Sequence, residues 1–211
     1  MANSRSRKVP GGTLAVALLL SCLPLWGFAE TGGKGADEEN VESRPVQVKL
    51  DDQPLIDQDG KTVRFRTDVV GDRIVVVDTF FTTCGLICPI LGAIMMDLQE
   101  QLGNRLGRDV ALISISVDPV TDIPARLKQY SAQWEARPGW LFLTGGKSNV
   151  DQVLKGLGLY TPNFADHPST FLVGDGRTGE WTRFYGFATP EQLMEKVTAL
   201  TGKRAAGGKP S

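Results

Sequence analysis

The chain has 211 residues, of which 41% are hydrophobic and 22% charged, and a formal net charge of −1. That length suits one ordinary domain with terminal segments, and the composition is that of a globular core, not of a disordered chain. A charge so close to zero leaves no electrostatic footprint for nucleic acid, and that class of partner is excluded.

The first 29 residues differ in kind from the rest. Arg5, Arg7 and Lys8 make a basic start, residues 14–28 are uncharged and mostly apolar, and Gly27-Phe28-Ala29 is a small-x-small site. This order predicts a secretory signal peptide over 1–29, cleaved after Ala29, and hence a periplasmic or otherwise exported protein. The run is short for a membrane span and carries Pro24; a retained N-terminal anchor is the alternative, and the only membrane contact expected. Lipid attachment at Cys22 fits less well, because Leu19-Leu20-Ser21 places a bulky leucine where a small or β-branched residue is usual, and apolar sequence continues past the cysteine. Cleavage would remove Cys22 and leave Cys84 and Cys88 alone. Residues 30–44, Gly-rich and charged, are expected to form a flexible linker. One domain is expected over 45–201, and a disordered tail over 202–211.

Within the domain, Leu55-Ile56, the Asp59-Gly60 turn, Val63 and Phe65 predict a leading hairpin. Residues 74–81 form a continuous apolar run, as in a strand buried on both faces. From Pro89, the positions Ile90, Leu91, Ile94, Met95, Leu98 and Leu102 follow helical spacing up to Gly103. Residues 110–117 predict a second buried strand. Asp122 is expected to N-cap a helix with Pro124 in its first turn, carrying Leu127, Tyr130 and Trp134. A short strand at 141–143 follows, then a helix capped by Ser148 and closed at Gly158. Residues 170–173 and 181–185 flank Gly174-Asp175-Gly176 as a second hairpin. Thr189-Pro190-Glu191-Gln192 reads as a capping box opening a last helix. The order is α/β and resembles the thioredoxin-like fold: a central mixed sheet with helices on both faces, here with an N-terminal hairpin extension and one added helix.

Cys84 and Cys88 fall between the first buried strand and its following helix, the edge at which open α/β sheets meet their ligands. A helix amino terminus offers unpaired N–H groups and positive potential, which favour thiolate over thiol. A four-residue offset places two side chains one turn apart on one face, able to converge on an ion or to close a disulfide. A buried inert pair or a structural crosslink is the alternative, but so short a loop would remove little unfolded-state entropy. His167, the single histidine, precedes the second hairpin, where the thioredoxin arrangement faces the helix start. Two thiolates and an imidazole suit copper as Cu(I) or Cu(II), whereas zinc would want a fourth ligand. Asp166 is expected either to orient the ring or to stand as a solvated loop residue. Pro168 stands near the position of the fold's cis-proline loop. Met95 and Met96 read as core. Trp134, Trp140, Trp181, Arg64 and Arg66 receive no role.

Taken together, these residues resemble the Sco/SenC family of copper-handling, thioredoxin-like proteins. The resemblance rests on F-T-x-C-x-x-x-C-P at 81–89, on Ser116-Val117-Asp118-Pro119 with Asp122-Ile123-Pro124, on Trp140-x-Phe142-Leu143-Thr144-Gly145, and on Asp166-His167. It implies Cys84, Cys88 and His167 as ligands of one copper per chain. It also implies delivery of copper to the binuclear copper site of cytochrome c oxidase, or reduction of that site's cysteines. The expected partners are a copper-accepting oxidase subunit and a thiol reductant, with the chain itself a monomer. The sequence departs from the family at Gly85, where proline is usual, in a short 160–167 loop, and at Asp78, where an aromatic residue is common. Asp78 resembles the buried aspartate of thioredoxin, a proton acceptor for the second cysteine; a desolvated carboxyl there would have a raised pKa. The alternative is a strand-end aspartate bonded to a neighbouring backbone group or threonine hydroxyl.

Two functions therefore compete: a metallochaperone, and a thiol–disulfide oxidoreductase in which Cys84 attacks and Cys88 resolves. A peroxidase would need a single activated cysteine with Thr and Arg nearby, which CxxxC is not. A non-catalytic interaction module would leave the Cys/His set unexplained.

Overall fold

The computed structural model describes Gly11 and residues 41–207. The expected signal peptide lies outside the described residues, as do most of the expected linker and the last four residues of the tail. Among the described residues eight strands form one sheet: β1 Ser43–Val46, β2 Pro54–Asp57, β3 Thr62–Arg64, β4 Ile74–Phe80, β5 Val110–Ser116, β6 Trp140–Thr144, β7 Thr170–Asp175 and β8 Trp181–Tyr185. Their order across the sheet is β1-β8-β7-β4-β5-β6-β2-β3. β4, β5 and β6 run parallel, while β7 lies antiparallel to β4 and the β2–β3 hairpin extends the far edge. This is the expected mixed α/β sheet of the thioredoxin-like fold.

The pleat explains why β4 and β5 are buried throughout. Successive side chains point to opposite faces, and both faces are covered. Ile74, Val76 and Phe80 join the core under α1 (Cys88–Leu102), α2 (Pro124–Gln133) and α4 (Pro190–Ala205). Val75 and Val77 meet α3 (Lys147–Leu157) and a six-residue turn of π-helix at Phe65–Val70. Asp78 falls in the Val76–Phe80 register, so a carboxyl enters the α1 side of an otherwise apolar strand.

Several boundaries differ from expectation, each for a local reason. β1 starts at Ser43, inside the expected linker, because Ser43 and Arg44 pair with Phe184 and Arg183 of β8. Such an exposed edge strand is held by backbone bonds and shows no apolar alternation. Phe65 ends the first hairpin: the Asp52 carboxylate accepts the N–H groups of Arg66 and Thr67, each at 3.0 Å, and winds the chain into the π turn. α4 passes Gly202 and runs to Ala205, anchored by a bidentate pair from Arg204 to the buried Asp175 at 2.6 and 2.7 Å. Ser148 lies within α3, whose N-cap is Gly146. Asp122 is not the cap of α2, a position held by Ile123; its carboxylate is engaged elsewhere. Thr189 does form the expected capping box with Gln192.

The α1–α2 contact leaves no room for even a methyl group. A Cβ at Gly92 would stand 2.4 Å from the ring of Trp134. Gly92→Ala is therefore expected to destabilise the fold by about 2 kcal/mol, overpacking outweighing the better helix propensity of alanine. Denaturant unfolding of the variant against the wild type measures this.

Candidate metal and thiol site

β4 ends at Phe80, and the chain turns at once. Cys84 N–H donates to the Phe81 carbonyl at 3.1 Å, and α1 opens at Cys88 with Pro89 in its first turn. No side-chain oxygen caps α1. Cys84 Sγ takes that place, accepting the Cys88 N–H at 3.3 Å. A sulfur bearing negative charge is favoured there by the unpaired N–H groups of the first turn. Burial pushes the Cys84 thiol up, but hydrogen bonds from the Cys88 thiol and from the N–H groups of Cys88, Leu86 and Ile87 outweigh it, leaving its pKa below the ordinary value. Cys88, only 1% exposed, goes the other way: burial and then the neighbouring Cys84 push it up to about 12. One thiol is primed and its neighbour is held protonated.

His167 arrives from the opposite strand. Because β7 runs antiparallel beside β4, the residues before β7 lie next to those after β4. The ring is 6% exposed, and Phe81 packs edge-on against both it and Phe164, with centroids at 5.7 and 5.2 Å. Thr79 Oγ1 lies 3.2 Å from Nδ1, and Nε2 faces Cys88 Sγ at 3.9 Å. Burial lowers the histidine pKa, which favours the neutral ring a soft cation requires. The ring is oriented by Thr79, which sequence reasoning missed. Asp166, one of the two readings for that task, is exposed and accepts a bond from Asn163 Nδ2 at 2.9 Å instead. Thr79 gave no signal of its own, since a threonine in an apolar strand reads as β propensity.

Asp78 lies on the same sheet face as Cys88, 3% exposed, and its Oδ1 has no hydrogen-bond partner among the described residues. The neighbouring Thr79 belongs to the other register of β4, and its hydroxyl meets His167. Burial pushes the Asp78 pKa up to about 7, against a smaller opposing pull from the Ser114 hydroxyl, and its charge in turn raises that of Cys88.

The three sequence-predicted donors thus share one corner of the sheet, with Cys88 in contact with both of the others. Two sulfurs and an imidazole nitrogen are a donor set for a soft, low-coordinate cation and not for magnesium or calcium. Among the described residues no three Cys, His, Asp or Glu side chains already stand at metal-holding distances. Around the corner the surface is apolar and open: Leu86, between the cysteines, is 80% exposed, with Ile90 and Phe164 beside it in the chain segments that build the site.

Known proteins resemble this chain in sequence and in fold. A SCO1 protein homolog of Bacillus subtilis is 36% identical over 110 residues, 51% of this chain and 55% of the relative. A Stutzerimonas stutzeri protein designated copper-binding is 31% identical over 123 residues, 58% of each. The match spans a little over half the length of these two relatives. Among solved structures, BsSco is presented as a member of the Sco family of cytochrome c oxidase assembly proteins with a disulfide switch. It superposes with a TM-score of 0.63 at 27% identity, over 75% of this chain and 96% of that one. The SCO1/SenC sequence profile matches residues 42–202, which is most of the chain and contains the whole site: the chain belongs to the SCO1/SenC family.

Proposed function

We propose that this protein is an exported copper-binding assembly factor that holds one copper through Cys84, Cys88 and His167 and passes it to a cuproprotein, the binuclear copper site of cytochrome c oxidase. The observation that carries this reading is the position of Cys88 Sγ beside Cys84 and 3.9 Å from His167 Nε2, with the other ring nitrogen engaged by Thr79. A ring anchored through Nδ1 presents Nε2 without a search among rotamers, and such outer contacts support affinity in histidine metal sites. Cys84, the more exposed sulfur, is the ligand an incoming acceptor reaches first. The relative designated copper-binding and the oxidase-assembly description of BsSco support the same reading. The basic and apolar N-terminal segment supports export, and no helix among the described residues is long and apolar enough to cross a membrane.

The test is metal analysis and X-ray absorption on the reduced protein loaded with copper and desalted. One copper per chain with two sulfurs and one nitrogen is expected. His167→Ala should weaken retention of Cu(II) about 100-fold, more than that of Cu(I), since the imidazole is the harder of the three donors. A reduced wild-type protein that keeps no copper through the column would sink the proposal.

A second reading is favoured by Asp78. In a thiol–disulfide exchange, Cys84 thiolate attacks a partner disulfide, forming a mixed disulfide and releasing one partner thiolate. Cys88 then gives up its proton, attacks Cys84 Sγ and releases the second thiolate, so the partner gains two electrons and this chain is left oxidised. A thiol with a pKa of about 12 needs a proton acceptor for that step, and a carboxyl poised at about 7 on the same sheet face is suited to the task. Both readings require the same reduced pair.

A further inference from the structure

A carboxylate removed from water must be met by donors or a cation. Asp122 is 0% exposed, and among the described residues no cation pairs with it. The Ser116 hydroxyl, at the end of β5, donates to Oδ2 at 2.6 Å. Thr82 donates twice, its hydroxyl to Oδ1 and its N–H to Oδ2 at 3.1 Å. Ser116 Oγ also accepts the Asp118 N–H at 3.1 Å, and the Asp122 N–H donates to the Asp118 carbonyl at 2.9 Å. One carboxylate therefore ties together the end of β5, the loop into α2 and the loop out of β4. That last loop is the one carrying the reactive sulfur: Thr82 lies inside the turn closed by Cys84 N–H and the Phe81 carbonyl. Thr121 before it is half-buried and Ile123 after it is exposed and holds the N-cap of α2, so helix capping does not account for the burial of Asp122.

We propose that Asp122 is a positioning residue for Cys84. By holding both polar groups of Thr82 it fixes the turn that sets Cys84 Sγ over the first N–H of α1. The leash is short, with a single residue between Thr82 and Cys84, while the three residues on the other side of Cys84 carry Gly85 and have room to move. Asp122 thus holds the fixed side of a loop whose other side is free to adjust when the sulfur changes partner. An asparagine could not replace it, because an amide presents one acceptor oxygen and turns its NH2 against the remaining donors.

The proposal rests on reading Cys84 as a working thiol, and not on copper, so the test is made without metal on the reduced full chain. The readout is the rate at which Cys84 displaces iodide from iodoacetamide at pH 7, followed by mass mapping. Asp122→Asn and Thr82→Val are expected to slow it about fivefold, because the sulfur is no longer held against the first N–H of α1, 3.3 Å away, in the geometry from which it attacks. Thr82→Ser keeps the hydroxyl and should return the rate to within about twofold of wild type. A merely structural role predicts the opposite sign, since lost stability opens the loop and speeds labelling. Asp175→Asn, equally buried but at the other end of β7, should lower stability without slowing Cys84. If Asp122→Asn does not fold, Thr82→Val decides alone. A rate in Thr82→Val equal to or faster than wild type overturns the proposal. A wild-type chain that fails to retain copper would count against the proposed copper function and leave these rates as they are.

Discussion

Under native conditions at pH 7, a limiting amount of alkylating reagent is expected to modify Cys84 and to spare Cys88 by a factor of about 10² or more. The two sulfurs are one helical turn apart, yet their surroundings differ in every respect that sets a thiol's acidity. Cys84 is half-buried and accepts from the N–H groups that open α1, and those bonds outweigh its burial. Cys88 is sealed under the first turn, and burial with the neighbouring sulfur raises it from 9.0 to about 12. Three units of pKa correspond to about a thousandfold less thiolate in the range where both are mostly protonated; the greater nucleophilicity of the more basic sulfur returns part of that ratio, and lack of access adds to it. Mass mapping of the first alkylated product reads it directly. Equal labelling of the two cysteines would remove the assignment of Cys84 as the attacking thiol and as the sulfur first reached by an acceptor.

Replacing Asp78 by asparagine is expected to raise stability at pH 8 by up to about 4 kcal/mol while slowing thiol exchange. The folded pKa is about 7 against an ordinary 3.8. Below 3.8 both folded and unfolded chains hold the proton and the group contributes nothing. Between 3.8 and 7 the unfolded chain releases the proton that the folded chain keeps, so the folded state binds more protons and stability falls as pH rises. The loss is about 1.4 kcal/mol per pH unit and levels off above pH 7, which gives the figure of about 4 kcal/mol. Asp175 acts in the opposite sense, because the Arg204 pair overcomes its burial and lowers its pKa; its contribution is lost as pH falls toward the acid range. Comparing wild type with Asp78→Asn at each pH cancels such groups. Denaturant midpoints at pH 4.5, 6 and 8 should lie closest at the lowest value and diverge upward. Curves that stay parallel would show that Asp78 does not keep its proton in the folded chain. A carboxyl so costly to retain is consistent with strain maintained at a working site.

How much of this was legible in the sequence depended on the kind of force involved. The mostly apolar runs of β4 and β5, the helical spacing along α1 and the capping box at Thr189 are local patterns, and each appears in the structure where its pattern stands. The first half of the edge strand β1, Ser43 and Arg44, was read as linker because Ser43–Val46 owes its conformation to backbone pairing with β8 and not to its own side chains. The end of α4 was misplaced because Gly202 is locally a stop signal, whereas the Arg204 clamp on Asp175 comes from a residue 29 positions away.

For the cysteine–histidine corner, the sequence by itself determined the ingredients: CxxxC between a buried strand and a helix, and a lone histidine before a hairpin. Those are properties of spacing, and spacing is written along the chain. Only the tertiary structure decided how the ingredients are held. It turned Thr79 to the His167 ring, left Asp78 without a partner on one carboxyl oxygen, and drew Asp122 away from the cap of α2 to the loop before Cys84. A short polar side chain near a strand or helix end has several hydrogen-bond partners within reach, of similar local strength. Which of them it takes is settled by the segments that the sheet order β7-β4-β5 brings beside it, 40 to 88 residues away in the chain.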